Sequence, residues 1–138
     1  MAACFRYIVN DVDAAIDFYT QHLGFKVEMH PAPPFAEISR GDMHIYLTQP
    51  SRMGGGAPMP SGEQQRPGGW NRIHVIVEDL DATIANLKAA GCGFRNDEVQ
   101  GVGGKQILLQ DPSGNLVELF QPNTSQYRAP GSGGKVGD

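Results

Sequence analysis

The sequence predicts an α+β protein made of two βαβββ modules. Three features point there: an internal repeat at constant offset, a change in each copy from alternating to helical periodicity, and short β-prone runs after each helix. Residues 5–19 (FRYIVNDVDAAIDFY) align with residues 73–87 (IHVIVEDLDATIANL), and Asp11 with Asp79, Ile16 with Ile84 and Tyr19 with Leu87 all keep an offset of 68 residues.

Each copy opens with a β-prone run and then meets an aspartate. Asp11 and Asp79 are expected helix N-caps, and Asp13 and Asp81 add negative charge in the first turn, where the helix dipole favours it. Val12, Ile16, Tyr19 and Leu23 recur at helical spacing before Gly24, as do Leu80, Ile84 and Leu87 before Gly91, which marks two amphipathic helices and their stops. Strands are expected over 25–30, 35–39 and 43–48 in the first copy, and over 93–95, 106–110 and 116–120 in the second. Arg40-Gly41-Asp42 and Asp111-Pro112-Ser113-Gly114-Asn115 supply the turns before the last strands. Neither half can cover both faces of its sheet alone, so the halves are expected to pack together.

At 138 residues the chain suits one domain, expected over 1–122, with modules at 1–50 and 70–122. Glycine (18) and proline (10) are abundant but uneven: nine of them fall in 51–69 and five in 123–138. Those stretches are therefore expected to be a connecting loop, either lid or linker, and a flexible tail. The net charge of −4 comes without any run of like charge, which argues against nucleic acid and anionic membrane as partners. No stretch approaches the roughly 18 apolar residues of a membrane span, and no export signal is legible, so a cytoplasmic protein with Cys4 and Cys92 reduced is expected.

The order strand, Asp cap, Phe18-Tyr19, Leu23-Gly24-Phe25 and then DPSGNLVELFQP at 111–122 resembles the vicinal oxygen chelate superfamily. That group includes glyoxalase I, bleomycin and fosfomycin resistance proteins and extradiol dioxygenases. The resemblance covers residues 4–122. It implies that the two modules form a curved, incomplete barrel around a ligand cup, the glyoxalase/bleomycin resistance-like fold, and that the protein is a homodimer. Metal-dependent members hold a divalent ion with residues on the first strand of each module and a Glu on the last. The corresponding positions here are Cys4, Arg72, Tyr46 and Glu118. Only Glu118 matches the pattern, and a guanidinium at position 72 cannot ligate and repels a dication.

Strand alternation assigns the faces. Phe5, Tyr7 and Val9, with Ile73, Val75 and Val77, should face the helices. Arg6, His44, Tyr46, Arg72, His74 and Glu118 should face the cup, with Trp70 at the end of the loop as a possible wall. The expected function is binding of a small organic molecule, anionic ones included, without a cofactor: Arg72 replaces the metal by pairing with Glu118, and Arg6 meets the ligand. The alternative is a metal-dependent lyase, isomerase or dioxygenase in which His44, His74 and Glu118 hold Zn, Fe, Mn or Ni. A third reading is a metal-free enzyme using Glu118 or His74 as general base. Gly54–Gly56 and Gly101, Gly103 and Gly104 lack the context of a phosphate cradle and read as loops.

Overall fold

In a computed structural model of the chain, residues 1–123 are described, so the tail expected at 123–138 lies, apart from Asn123, outside the described residues. The described residues divide into two units, one of residues 1–70 with 111–115, the other of residues 71–110 with 116–123.

The first unit runs β1 (Phe5–Ile8), α1 (Val12–His22), β2 (Lys26–Ala32), β3 (Phe35–Arg40) and β4 (Met43–Thr48). Its sheet has the order β1-β4-β3-β2, with β1 and β4 parallel and the other pairs antiparallel. Helix α1 starts where expected because the Asp11 carboxylate accepts the Asp13 and Ala14 amides at 2.9 and 3.3 Å. It stops at Leu23, and Gly24 follows at φ +72°, a conformation other residues avoid. The buried stripe is Val12, Ala15, Phe18 and Tyr19. Ile16, expected in this stripe, is only half-buried. The stripe closes over Tyr7, Val9, Ala36, Ile38, Ile45 and Leu47, all buried, each large aliphatic side chain stabilising the fold by about 1.5–3 kcal/mol.

The turn at 111–115 belongs to this unit. Asp111 Oδ1 accepts the amides of Ser113 and Asn115, both at 2.9 Å, which shapes the turn. Asp111 Oδ2 accepts the Tyr19 hydroxyl at 2.9 Å and the Asn115 side-chain amide at 3.2 Å. Asn115 also donates to the Ile8 carbonyl at 2.8 Å, and the Asn10 amide donates to Ser113 Oγ at 2.8 Å. The turn thereby ties down both ends of the β1–α1 connection.

The second unit repeats the pattern: β5 (Arg72–Ile76), α2 (Leu80–Ala89), β6 (Gly93–Phe94), β7 (Val99–Gln100), β8 (Gly104–Gln110) and β9 (Leu116–Pro122). The sheet order is β5-β9-β8-β6, with β7 also pairing β8, so the path matches that of the first unit. Asp79 caps α2 by accepting the Ala82 amide at 3.0 Å. Ile73, Val75, Leu80, Leu87, Leu109 and Leu119 form the core. Strand β7 and the early start of β8 are not legible in the sequence, because the glycines at 101, 103 and 104 mask the alternation. Neither sheet closes on itself, and the α+β class with two repeated modules is the one expected. No helix among the described residues is long and apolar enough to cross a membrane.

Candidate functional site

In the first unit, α1 covers one face of the sheet and leaves the other to the polar set. The register places Arg6 beside Tyr46 on β1 and β4, and Glu37 beside Tyr46 on β3. The Arg6 guanidinium lies 5.4 Å from the centre of the Tyr46 ring, a cation–π contact, and Phe35 meets the same ring edge-on at 5.2 Å. A hydrogen bond to the Cys4 thiol is the main cause raising the Tyr46 pKa above the ordinary tyrosine value; Cys4 and Glu37 charge adds to it and Arg6 opposes it. Two residues earlier on β4, His44 Nδ1 stands 2.6 Å from Glu37 Oε2. Glu37 is absent from the residues picked out by sequence. Strand alternation with Phe35 and Ser39 would have put it on this face.

In the second unit, Glu118 is the hub. Arg72 donates from Nε at 2.9 Å and from Nη2 at 2.8 Å, both to Glu118 Oε1. His74, directly opposite Glu118 in the β5–β9 register, brings Nε2 to 3.4 Å from Oε2. The His74 ring also packs on Phe120 at 4.9 Å. The Glu118 side chain is 12% exposed, so its charge is largely removed from water and depends on Arg72 for compensation.

Of the four positions that correspond to metal ligands, Arg72 and Glu118 pair inside the second unit, while Cys4 and Tyr46 belong to the first. His74 joins Glu118 in the second unit, whereas His44 is bonded to Glu37 in the first. Among the described residues, no group of three His, Cys, Asp or Glu side chains is arranged to hold a metal ion.

The loop at 51–69 is a structured strap over its first part. A 3-10 turn at Gly54–Gly56 is closed by the Ser51 amide on the Gly56 carbonyl at 3.0 Å. Gln65 braces it by donating to the carbonyls of Gly55 and Ala57, both at 2.9 Å. Under this strap lies a cavity of about 590 Å³, walled by Arg6, Pro34, Phe35, Thr48 and Met53 among others. Trp70, at the far end of the loop, is 63% exposed.

The sequence model of the Glyoxalase/Bleomycin resistance protein/Dioxygenase superfamily matches residues 3–119. No curated protein sequence matches the chain. Among solved structures, an antibiotic binding protein, TnmS3 from Streptomyces sp. CB03234, superposes with a TM-score of 0.66 at 24% identity over 88% of this chain and 95% of that one. A lactoylglutathione lyase from Agrobacterium tumefaciens gives 0.65 at 20% identity over 88% and 94%. A glyoxalase/bleomycin resistance protein/dioxygenase from Nocardioides gives 0.68 at 21% identity over 88% and 83%. At these identities the likeness concerns the fold.

Proposed function

We propose that this chain, which belongs to the Glyoxalase/Bleomycin resistance protein/Dioxygenase superfamily, binds a small organic molecule with an anionic group and does so without a metal ion. The observation that carries the reading is the Arg72–Glu118 pair. Two of the three guanidinium nitrogens, Nε and Nη2, converge on one oxygen of the carboxylate that metal-dependent members use as a ligand. A dication approaching Glu118 would have to displace Arg72 and then sit beside its fixed positive charge. The partner positions offer little in return. Tyr46, its pKa raised further above the ordinary tyrosine value, is neutral and a weak ligand in that form. The resemblance to an antibiotic binding protein agrees with a binding role, at the level of fold.

In this reading Arg72 serves as a built-in counter-ion to Glu118, and Arg6 meets the ligand's acid. The superfamily's habit supports a homodimer, and a net charge of −4 without a run of like charge agrees with a small molecule, rather than nucleic acid or an anionic membrane, as the partner. A second reading has a specific observation in its favour: His74 Nε2 at 3.4 Å from Glu118 would let a metal-free enzyme use His74 as general base, oriented by the carboxylate.

Thermal-shift screening in excess chelator tests the proposal, with small carboxylates and sulfonates, aromatic antibiotics and glutathione conjugates as probes. At least one probe is expected to raise the melting temperature in chelator, and the effect should be lost in Arg6→Gln. If every shift requires added metal, the metal-dependent alternative with His44, His74 and Glu118 takes its place.

A further inference from the structure

We propose that the cavity under the 51–56 strap is the ligand's seat, and that it takes an amphipathic organic anion: a flat apolar body with a single acid group directed at Arg6. This rests on the metal-independent binding reading and adds the place and the chemistry. The cavity, at about 590 Å³, is of the size that holds a drug-like molecule. Pro34, Phe35 and Met53 give it apolar walls, and its two charged lining residues, Arg6 and Arg52, are both cations. An organic anion is the complement of such a lining, and an organic cation is disfavoured.

Two polar groups at this cavity await a partner. Among the described residues Arg6 has no ion pair, and its guanidinium is held only by the Tyr46 ring and the strap, so its donors are available to a carboxylate or sulfonate. Thr48 is the stronger case. The residue is 3% exposed, it lines the cavity, and its hydroxyl has no hydrogen-bond partner among the described residues. A buried hydroxyl left unpaired is costly, and a rotation of the Thr48 side chain that brings it to a ligand atom in the cavity would relieve that cost. Met53 stands 79% exposed at the mouth, an adaptable apolar side chain suited to folding over a bound ring system.

The strap is shaped around Arg6. A Cβ on Gly55 would overlap Arg6 Nη1, so only glycine lets the guanidinium lie beneath the turn. The atom in the way is the tip of a flexible side chain. Alanine at 55 therefore moves Arg6 rather than unfolding the strap, which separates loss of ligand binding from loss of fold.

The test uses the full chain in chelator, titrated with the fluorescent probe 1-anilinonaphthalene-8-sulfonate and with its uncharged analogue N-phenyl-1-naphthylamine. The sulfonate should saturate one site per chain and bind at least about tenfold more tightly than the analogue. Arg6→Gln should erase that preference while leaving the analogue's affinity in place. Gly55→Ala should weaken sulfonate binding without lowering the melting temperature, and this second variant keeps the proposal testable if Arg6→Gln fails to fold. Thr48→Val should weaken it about three- to tenfold at an undiminished melting temperature. Lys88→Gln, which removes a cation elsewhere, should change nothing. Equal affinity for the two probes, or sulfonate binding untouched by both Arg6→Gln and Gly55→Ala, would overturn the cavity assignment while leaving metal independence standing. Sulfonate binding that vanishes in chelator and returns with Zn would overturn the metal-independent reading, and this inference with it.

Discussion

Replacing Asp111 by alanine removes the acceptor on which the 111–115 turn is built. Four donors converge on this carboxylate: the Tyr19 hydroxyl, the Ser113 and Asn115 amides and the Asn115 side chain. Tyr19 and Asn115 are both buried, so their donors cannot turn to water. Each stranded donor costs about 1–3 kcal/mol, and two of them, less the gain from no longer burying a carboxylate, give a net loss of about 2–4 kcal/mol. Urea unfolding at neutral pH should report it as a lower midpoint at unchanged slope. The pH dependence has a definite sign. Burial, as the largest cause, raises the Asp111 pKa above the ordinary aspartate value, against the lowering effect of its hydrogen bonds. A group whose folded pKa is raised gives its full stabilisation below the unfolded value, about 3.9, and loses it as pH climbs through the folded value. The stability advantage of wild type over Asp111→Asn should therefore shrink as pH rises from the unfolded value through the raised folded one. A loss below about 1 kcal/mol for the alanine variant, or an advantage that grows with pH over this range, would refute the reasoning.

Further outcomes follow from other contacts. Arg72→Ala leaves Glu118 without its counter-ion and should cost about 1–3 kcal/mol, discounted for the part-exposed guanidinium; adding Glu118→Gln should recover most of it in a double-mutant cycle. Asp11→Ala should destabilise by about 1–2 kcal/mol and Asp79→Ala by about half as much, since Asp11 accepts two amides and Asp79 one, as chemical denaturation can check. Gly104→Ala should lose at least about 2 kcal/mol, because the glycine sits at φ +157° and a Cβ would overlap the backbone carbonyl of Gln121. Gly56→Ala should lower the melting temperature where Gly55→Ala does not, because its Cβ would meet the carbonyl oxygen of Gln49, which is backbone and cannot step aside.

The parts of this structure that the sequence foretells are those with a local physical signature. Asp11 and Asp79 cap helices because an aspartate before a helical apolar pattern has backbone amides to satisfy. Tyr7, Val9, Ile73 and Val75 are buried and Arg6 and His74 are not, because strand period fixes side-chain direction once one face is covered. The pairing of Arg72 with Glu118 was reachable because the repeat and the last strand put both on one face. What escaped depends on tertiary neighbours. Glu37 meets His44 across a strand pair, and only the register of β3 on β4 makes them partners. The DPSGN turn reads as a turn, but its role as a clasp on Tyr19 and Ile8 comes from residues about 100 positions away. Composition presented 51–69 as a loose connection, and it is the hydrogen bonds of Ser51 and Gln65 that make its first part a wall. An unpartnered hydroxyl such as that of Thr48 leaves no trace in sequence.

The central claim is that Arg72 stands in for a metal at Glu118, and metal analysis of the purified protein tests it most directly. The chain, produced in medium supplemented with Zn, Fe, Mn and Ni and purified without chelator, is expected to carry far less than one equivalent of any of them. About one equivalent of a single metal, lost in a Glu118→Gln variant, would contradict it.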